Sequence, residues 1–249
     1  MTAIFITGAG KRIGRAIAIA AAREGYDIAV HYNTSPDAAE AVAADIKNLG
    51  RQAAIIQADL ADESAVIGLI DQASKALGKP ITGLINNASL FVDDDWDSGA
   101  GTTWDRHMAI NLRAPYLLSR DLRKNLPVSM AGVIINIIDQ RVWRLNPSFF
   151  SYTISKSALW TMTKTLAQAL APDIRVNGVG PGPVLQSIHQ DSAAFSTEAE
   201  NTPLGVSVDP EEIAAACLYL LKAEKVTGQM IAVDSGQHLS WKTPDVVHD

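Results

Sequence analysis

Ala3-Ile4-Phe5-Ile6-Thr7-Gly8-Ala9-Gly10-Lys11-Arg12-Ile13-Gly14 passes from a short apolar run, through a glycine-rich turn, into the alanine-rich stretch Ile13–Arg23. The run has the length and character of a buried strand. The stretch after it reads as a helix stopped by Gly25. Glycines in such a turn let the backbone bend tightly and come close to a pyrophosphate, which then meets the helix N-terminus. A glycine-rich turn alone is a weak signal. Its place between a first strand and a first helix favours a dinucleotide site, with Gly8, Lys11, Arg12, Ile13 and Gly14 as candidate contacts.

The same alternation continues outward. Strands are expected at Asp27–His31, Gln52–Gln57, Leu84-Ile85, Gly132–Ile138, Ile174–Val179 and Met230–Val233. Helices are expected at Pro36–Leu49, Glu63–Leu77, about Thr103 to Leu126, Ser151–Leu170 and Pro210–Lys222. Near-continuously apolar strands separated by helices imply a parallel sheet covered on both faces. Right-handed crossovers then give a single α/β domain over residues 1–249, a Rossmann-type doubly wound sheet of about seven strands. Two loops are long, Phe91–Thr102 and about 182–208, and both follow strands. In such sheets ligands bind beyond the carboxyl ends of the strands, so both loops belong to the binding edge, the second as a substrate loop with a lid's composition.

The chain has 249 residues, 47% hydrophobic, with net charge −6 and no basic cluster, which argues against nucleic acid or an anionic membrane as partner. No apolar stretch approaches the length of a membrane span, and the N-terminus reads as a strand without a basic leader, so a cytoplasmic location is expected. Cys217, the single cysteine, sits in an apolar helical stretch and is read as a buried thiol. Asp93-Asp94-Asp95-Trp96-Asp97 reads as a solvated acidic loop; no metal site is expected, and His107 and His189 are left without a role.

The second strand ends His31-Tyr32-Asn33-Thr34-Ser35 without the acid that would take the ribose hydroxyls of NADH. Lys11 and Arg12 in the turn, with polar donors opposite, suit a 2′-phosphate, so NADPH/NADP is the expected cofactor; solvated turn cations are the plainer alternative. Asp59, before Leu60, is placed either to accept the adenine amino group or to cap a helix. Tyr152 and Lys156 stand four apart in Tyr152-Thr153-Ile154-Ser155-Lys156, on one face of a helix. A lysine ammonium there is expected to lower the phenol pKa and make it a usable acid. Thirteen residues earlier stands Asp139.

Together the Thr7–Gly14 turn, Asn86-Asn87-Ala88, Asn111, Tyr152 with Lys156, and Pro181-Gly182 resemble the short-chain dehydrogenase/reductase family over essentially the whole chain. The resemblance implies a nicotinamide cofactor, usually a homotetramer, Asn87 and Ala88 beside the cofactor, Asn111 holding a water that links Lys156 to solvent, and Pro181-Gly182 near the nicotinamide. The family mostly carries glycine at Arg12 and a catalytic serine at Asp139. These departures resemble the pteridine reductase branch, as do His31-Tyr32, Asn87-Ala88-Ser89 and Phe91. That likeness implies Phe91 stacking a pterin against the nicotinamide, with Ser89 at both cofactor and substrate; Phe91 as a plain loop anchor is the alternative. Asp139, Tyr152, Lys156 and Asn111 are the catalytic candidates. Ser89, Phe91, Asp139 and Tyr152 are the substrate candidates. The expected reaction is hydride transfer to a small molecule of dihydropterin type. A reductase of another carbonyl or imine, or a weakly active NADPH-binding sensor or scaffold, is the alternative.

Overall fold

The computed structural model describes residues 3–97, 101–186 and 191–241. Seven parallel strands form one sheet in the order β3-β2-β1-β4-β5-β6-β7. They are β1 (Ala3–Ile6), β2 (Asp27–Tyr32), β3 (Ala53–Gln57), β4 (Ile81–Asn86), β5 (Gly132–Ile137), β6 (Ile174–Pro181) and β7 (Met230–Val233). Alternation along β1 sends Ala3 and Phe5 to one face and Ile4 and Ile6 to the other, and both faces are buried. The first face is covered by α4 (Leu69–Leu77), α6 (Ala114–Asn125) and the C-terminal part of α7 (Phe150–Leu170). The second is covered by α1 (Arg12–Arg23), α2 (Pro36–Asn48) and α9 (Pro210–Lys222). Chain order reverses between β1 and β4, and the crevice at that switch point opens beyond their carboxyl ends.

Three elements differ from the sequence expectation. The Glu63–Leu77 helix is two, α3 (Glu63–Val66) and α4, because Gly68 takes φ 86° and its N–H is held at 2.7 Å by the Asp121 carboxylate. The long helix after β4 contains a π-helical turn, Ala109–Arg113, between α5 (Gly101–Met108) and α6. Such turns shift the register of the following face and often mark functional sites. The 182–208 loop contains α8 (Ser192–Glu200), capped by the Asp191 carboxylate on Ala194 N–H. His189, and residues 187–190 generally, lie outside the described residues. Among the described residues no helix is long and apolar enough to cross a membrane. Cys217 is buried in α9, and burial pushes its thiol up to about 12, which leaves it protonated and inert.

Candidate active site

The glycine turn is held from below. His31, at the end of β2, is buried; its Nδ1 accepts from Gly8 N–H at 3.0 Å and its Nε2 lies 3.2 Å from the Ala58 carbonyl. One nitrogen accepts and the other donates, which requires the neutral ring, and burial holds its pKa at about 4. Both nitrogens are spent on the backbone. The His31 ring is therefore a strut under the turn with no nitrogen left for a cofactor, a correction to the sequence reading. Its unfolded counterpart titrates near ~6.5, so protons bind the unfolded state preferentially between that pH and about 4. We expect stability to fall on acidification through this window by on the order of 3 kcal/mol from this one group. Urea unfolding of wild type and His31→Asn at pH 7 and 4.5 measures it. The substitution removes up to one proton from the slope.

The turn is also tied to β4. Asn87 Nδ2 donates to the carbonyls of Thr7 (2.8 Å) and Gly8 (3.2 Å), and Thr7 Oγ1 accepts from the backbone N–H groups of Asn87 and Ala88, each at 2.9 Å. The space between is filled: a β-carbon at Gly14 would lie 2.2 Å from the Gly8 carbonyl oxygen. Gly8 has φ 64° and would bring a β-carbon within 3.1 Å of Ala88. Gly182 also approaches the Asp234 backbone closely, at 2.6 Å for a β-carbon. This cradle fits a dinucleotide laid across the switch point, with its pyrophosphate at the α1 N-terminus. Lys11 Nζ donates to Ser35 Oγ at 2.9 Å, which puts an exposed cation beside the end of β2, near the exposed Asn33 and the half-buried Tyr32. No carboxylate closes that end of the strand, the donor set that a 2′-phosphate requires. Asp59 is exposed and accepts from Ala61 N–H at 2.9 Å in an Asx turn, while the buried Leu60 packs inward; Asp62 caps α3 instead.

Arg12, expected at the cofactor phosphate, lines the cavity beside the turn and is also bonded elsewhere. It holds φ 52°, a left-handed conformation that costs a non-glycine residue about 1–2 kcal/mol. Its guanidinium donates to the carbonyls of Leu185 and Gln186, each at 3.1 Å, clasping the segment after β6.

Beside the turn lies a cavity of about 460 Å³ lined among others by Ser89, Phe91, Asp139, Tyr152, Lys156 and Gly182. The structure thus brings together the substrate candidates and, of the catalytic ones, Asp139, Tyr152 and Lys156, with Asn87 and Pro181 also in the lining; Asn111 does not line the cavity. Tyr152 donates its phenol proton to Asp139 Oδ2 at 2.8 Å, and Asp139 Oδ1 accepts from Arg141 N–H at 2.8 Å. Lys156 Nζ sits 5.7 Å from the Tyr152 ring centroid and donates to the Ile137 carbonyl at 2.8 Å. Burial lowers the lysine to about 8. Burial raises the Asp139 carboxyl. Burial and the adjoining carboxylate push the Tyr152 phenol well above its ordinary value. The expected lowering of the phenol by Lys156 is thus overturned: its nearest hydrogen-bonding neighbour is an anion, not a cation.

Asn111, in the π-helical turn, accepts from Leu90 N–H at 2.8 Å, donates to Leu90 O at 3.0 Å and donates to Ser155 Oγ at 3.1 Å. Its side chain clamps the Ser89–Leu90 segment to α7. Phe91 stacks on Phe149 at 4.1 Å and meets Tyr152 edge-on at 4.7 Å. Arg141 lies over Phe149 at 5.5 Å. Phe149, Gln140 and Arg141 line the cavity and were missed by the sequence reading; their closeness to Asp139 and Tyr152 was the available signal.

The acidic loop also needs correction. Asp94 is buried, accepting from Ser151 N–H at 3.1 Å and from Ser151 Oγ. Among the described residues no cluster with metal-ligating potential is found.

A family model described as Enoyl-(Acyl carrier protein) reductase matches residues 8–238. The chain belongs to the short-chain dehydrogenase/reductase family. It is 34% identical to a short-chain type dehydrogenase/reductase of Picea abies, over 93% of this chain and 90% of that one. It is 30% identical to the dihydromonapterin reductase of Klebsiella pneumoniae, over 95% and 96%. The crystal structure of FolM alternative dihydrofolate reductase 1 from Brucella suis, in complex with NADP, superposes with a TM-score of 0.92 at 46% identity, over 99% of both chains. The chain is a reductase of this family's single-domain, parallel-sheet architecture.

Proposed function

We propose that this chain is an NADPH-dependent reductase of dihydropterin-type substrates. The carrying observation is the Tyr152 phenol bonded to the Asp139 carboxylate at the position where the family mostly has serine. A serine hydroxyl donates to a developing alkoxide, whereas a carboxylate there repels one unless it is protonated. Reduction of a C=N bond develops no alkoxide; its nitrogen takes a proton as its carbon takes hydride. NADPH, when bound, supplies the hydride. Tyr152 donates its proton to the substrate nitrogen and recovers one through Asp139, the carboxyl it is bonded to. Lys156 holds the nicotinamide ribose. Ser89 and Phe91 form the substrate wall. Lys11 supports the 2′-phosphate preference. The names of the Brucella and Klebsiella proteins support the pterin class. The reading carries a cytoplasmic homotetramer; an apolar groove along α7 lined by Leu145, Phe150, Ile154 and Ala158 offers a face for subunit contact.

Following NADPH absorbance with dihydrobiopterin, dihydromonapterin, dihydrofolate and a panel of small ketones tests this. Turnover of a pterin above every ketone is expected. Ketone turnover alone would establish the carbonyl alternative, and tight NADPH binding with no turnover would establish a sensor or scaffold. Tighter NADH than NADPH binding would overturn the cofactor assignment.

A further inference from the structure

The wall of the cavity formed by residues 89–94 has no helix or strand of its own, yet it alternates as a strand does. Ser89, Phe91 and Asp93 line the cavity. The intervening Leu90, Val92 and Asp94 are tied to the protein behind. In an extended segment neighbouring side chains point to opposite sides, so whatever holds the even residues aims the odd ones. Two side chains, one helical turn apart, do the holding. Asn111 takes both backbone groups of Leu90 and reaches Ser155. His107 accepts from Val92 N–H through Nε2 at 3.3 Å and meets Ser151 Oγ through Nδ1 at 2.6 Å. Residues 107 and 111 face residues 151 and 155, making two parallel rungs between α5 with its π-helical turn and the helix that carries Tyr152 and Lys156.

We propose that His107, working through Ser151 and Asp94, is a positioning residue that sets Phe91 and Asp93 against the substrate. The proton inventory of this rung closes. The Ser151 hydroxyl gives its one proton to the Asp94 carboxylate. It therefore accepts from His107 Nδ1–H, which leaves Nε2 with a free lone pair for Val92 N–H. The ring is fully buried and makes a T-shaped contact with Tyr152 at 6.0 Å between centroids; Asp94 and Lys156 are the charges that act on it. Substituting Ser151 or His107 leaves a buried polar partner unmatched at the base of the wall, although neither side chain lines the cavity.

This inference rests on the cavity being the substrate site. Full-length wild type, His107→Leu, His107→Gln and Ser151→Ala are assayed with dihydrobiopterin and with diacetyl as a carbonyl probe, and backbone amide exchange is followed at Leu90 and Val92. For whichever substrate the wild type reduces, His107→Leu is expected to raise KM about tenfold while the KM for NADPH stays within about twofold. Val92 exchange should accelerate while Leu90, held by Asn111, stays slow. His107→Gln, which retains an acceptor for Val92 N–H, should recover most of the KM. A folded His107→Leu with unchanged substrate KM overturns the proposal, as does an equal rise in both KM values with protection lost throughout. If that variant does not fold, Ser151→Ala decides: a substrate KM raised about threefold supports the rung, and an unchanged one overturns it. Wild-type turnover of diacetyl without dihydrobiopterin would sink the pterin reading alone, and the rung is then judged on the diacetyl KM.

Discussion

Tyr152→Phe is expected to lower kcat at least about 10²-fold, the lower range for loss of a general acid, with NADPH binding retained. The phenylalanine keeps the ring contacts with Phe91 and His107 and removes only the hydroxyl that bonds Asp139. Asp139 then separates two roles. If its carboxyl replenishes the tyrosine, activity falls as pH rises through its raised pKa, because the proton-bearing fraction is lost. Asp139→Asn should flatten that limb and lower kcat together. Asp139→Ser should harm pterin reduction more than ketone reduction, since a hydroxyl donor is what an alkoxide needs. Stopped-flow hydride transfer between pH 5 and 9 measures all three. An unchanged Tyr152→Phe rate would remove the residue from the chemistry, and a Ser variant that harms ketones more would remove the substrate argument.

What the sequence disclosed depends on how each feature is encoded. The sheet was legible because strand and helix periods are local, and Pro210–Lys222 and Met230–Val233 emerged at their expected bounds. The break at Gly68 was not, because it depends on a carboxylate from α6, remote in sequence. The positions of Asp139, Tyr152 and Lys156 around one cavity were legible through the family resemblance, since four-residue spacing places only Tyr152 and Lys156 on one helix face. The electrostatics were not. Four-residue spacing suggested a lysine acting on the phenol, but the Lys156 stem carries its ammonium to the Ile137 carbonyl, and the nearest charge on the hydroxyl comes from β5's end. His31 looked like a ligand because strand ends face the cleft, yet its ring turns back under the glycine turn. His107, Ser151 and Asp94 lie far apart in sequence and carry no joint signal beyond the matching four-residue spacings 107/111 and 151/155.

Gly14→Ala should abolish measurable NADPH binding or reduce it by about two orders of magnitude, a loss of roughly 3 kcal/mol. The reason is steric, and the closest clash is with backbone, which no side-chain adjustment relieves. The added carbon would sit 2.2 Å from the Gly8 carbonyl oxygen and 2.6 Å from Asn87 Nδ2, both fixed by other bonds. Relieving the clash requires α1 to move away from the turn or Gly8 to rotate. Rotation of Gly8 breaks its N–H bond to the buried His31, and movement of α1 disturbs the Asn87 bridge to Thr7 and Gly8. Either shift displaces the amide groups that would face the pyrophosphate. Gly25→Ala is the matched control: its φ of 93° strains the backbone, but a β-carbon there meets nothing within 4 Å, and it lies at the opposite end of α1. That variant should lose stability on the order of 1 kcal/mol while binding NADPH normally. Fluorescence titration alongside thermal unfolding distinguishes the two. Normal NADPH affinity in a folded Gly14→Ala protein would show that the pyrophosphate does not lie over this turn, and would move the cofactor away from the β1–α1 junction altogether.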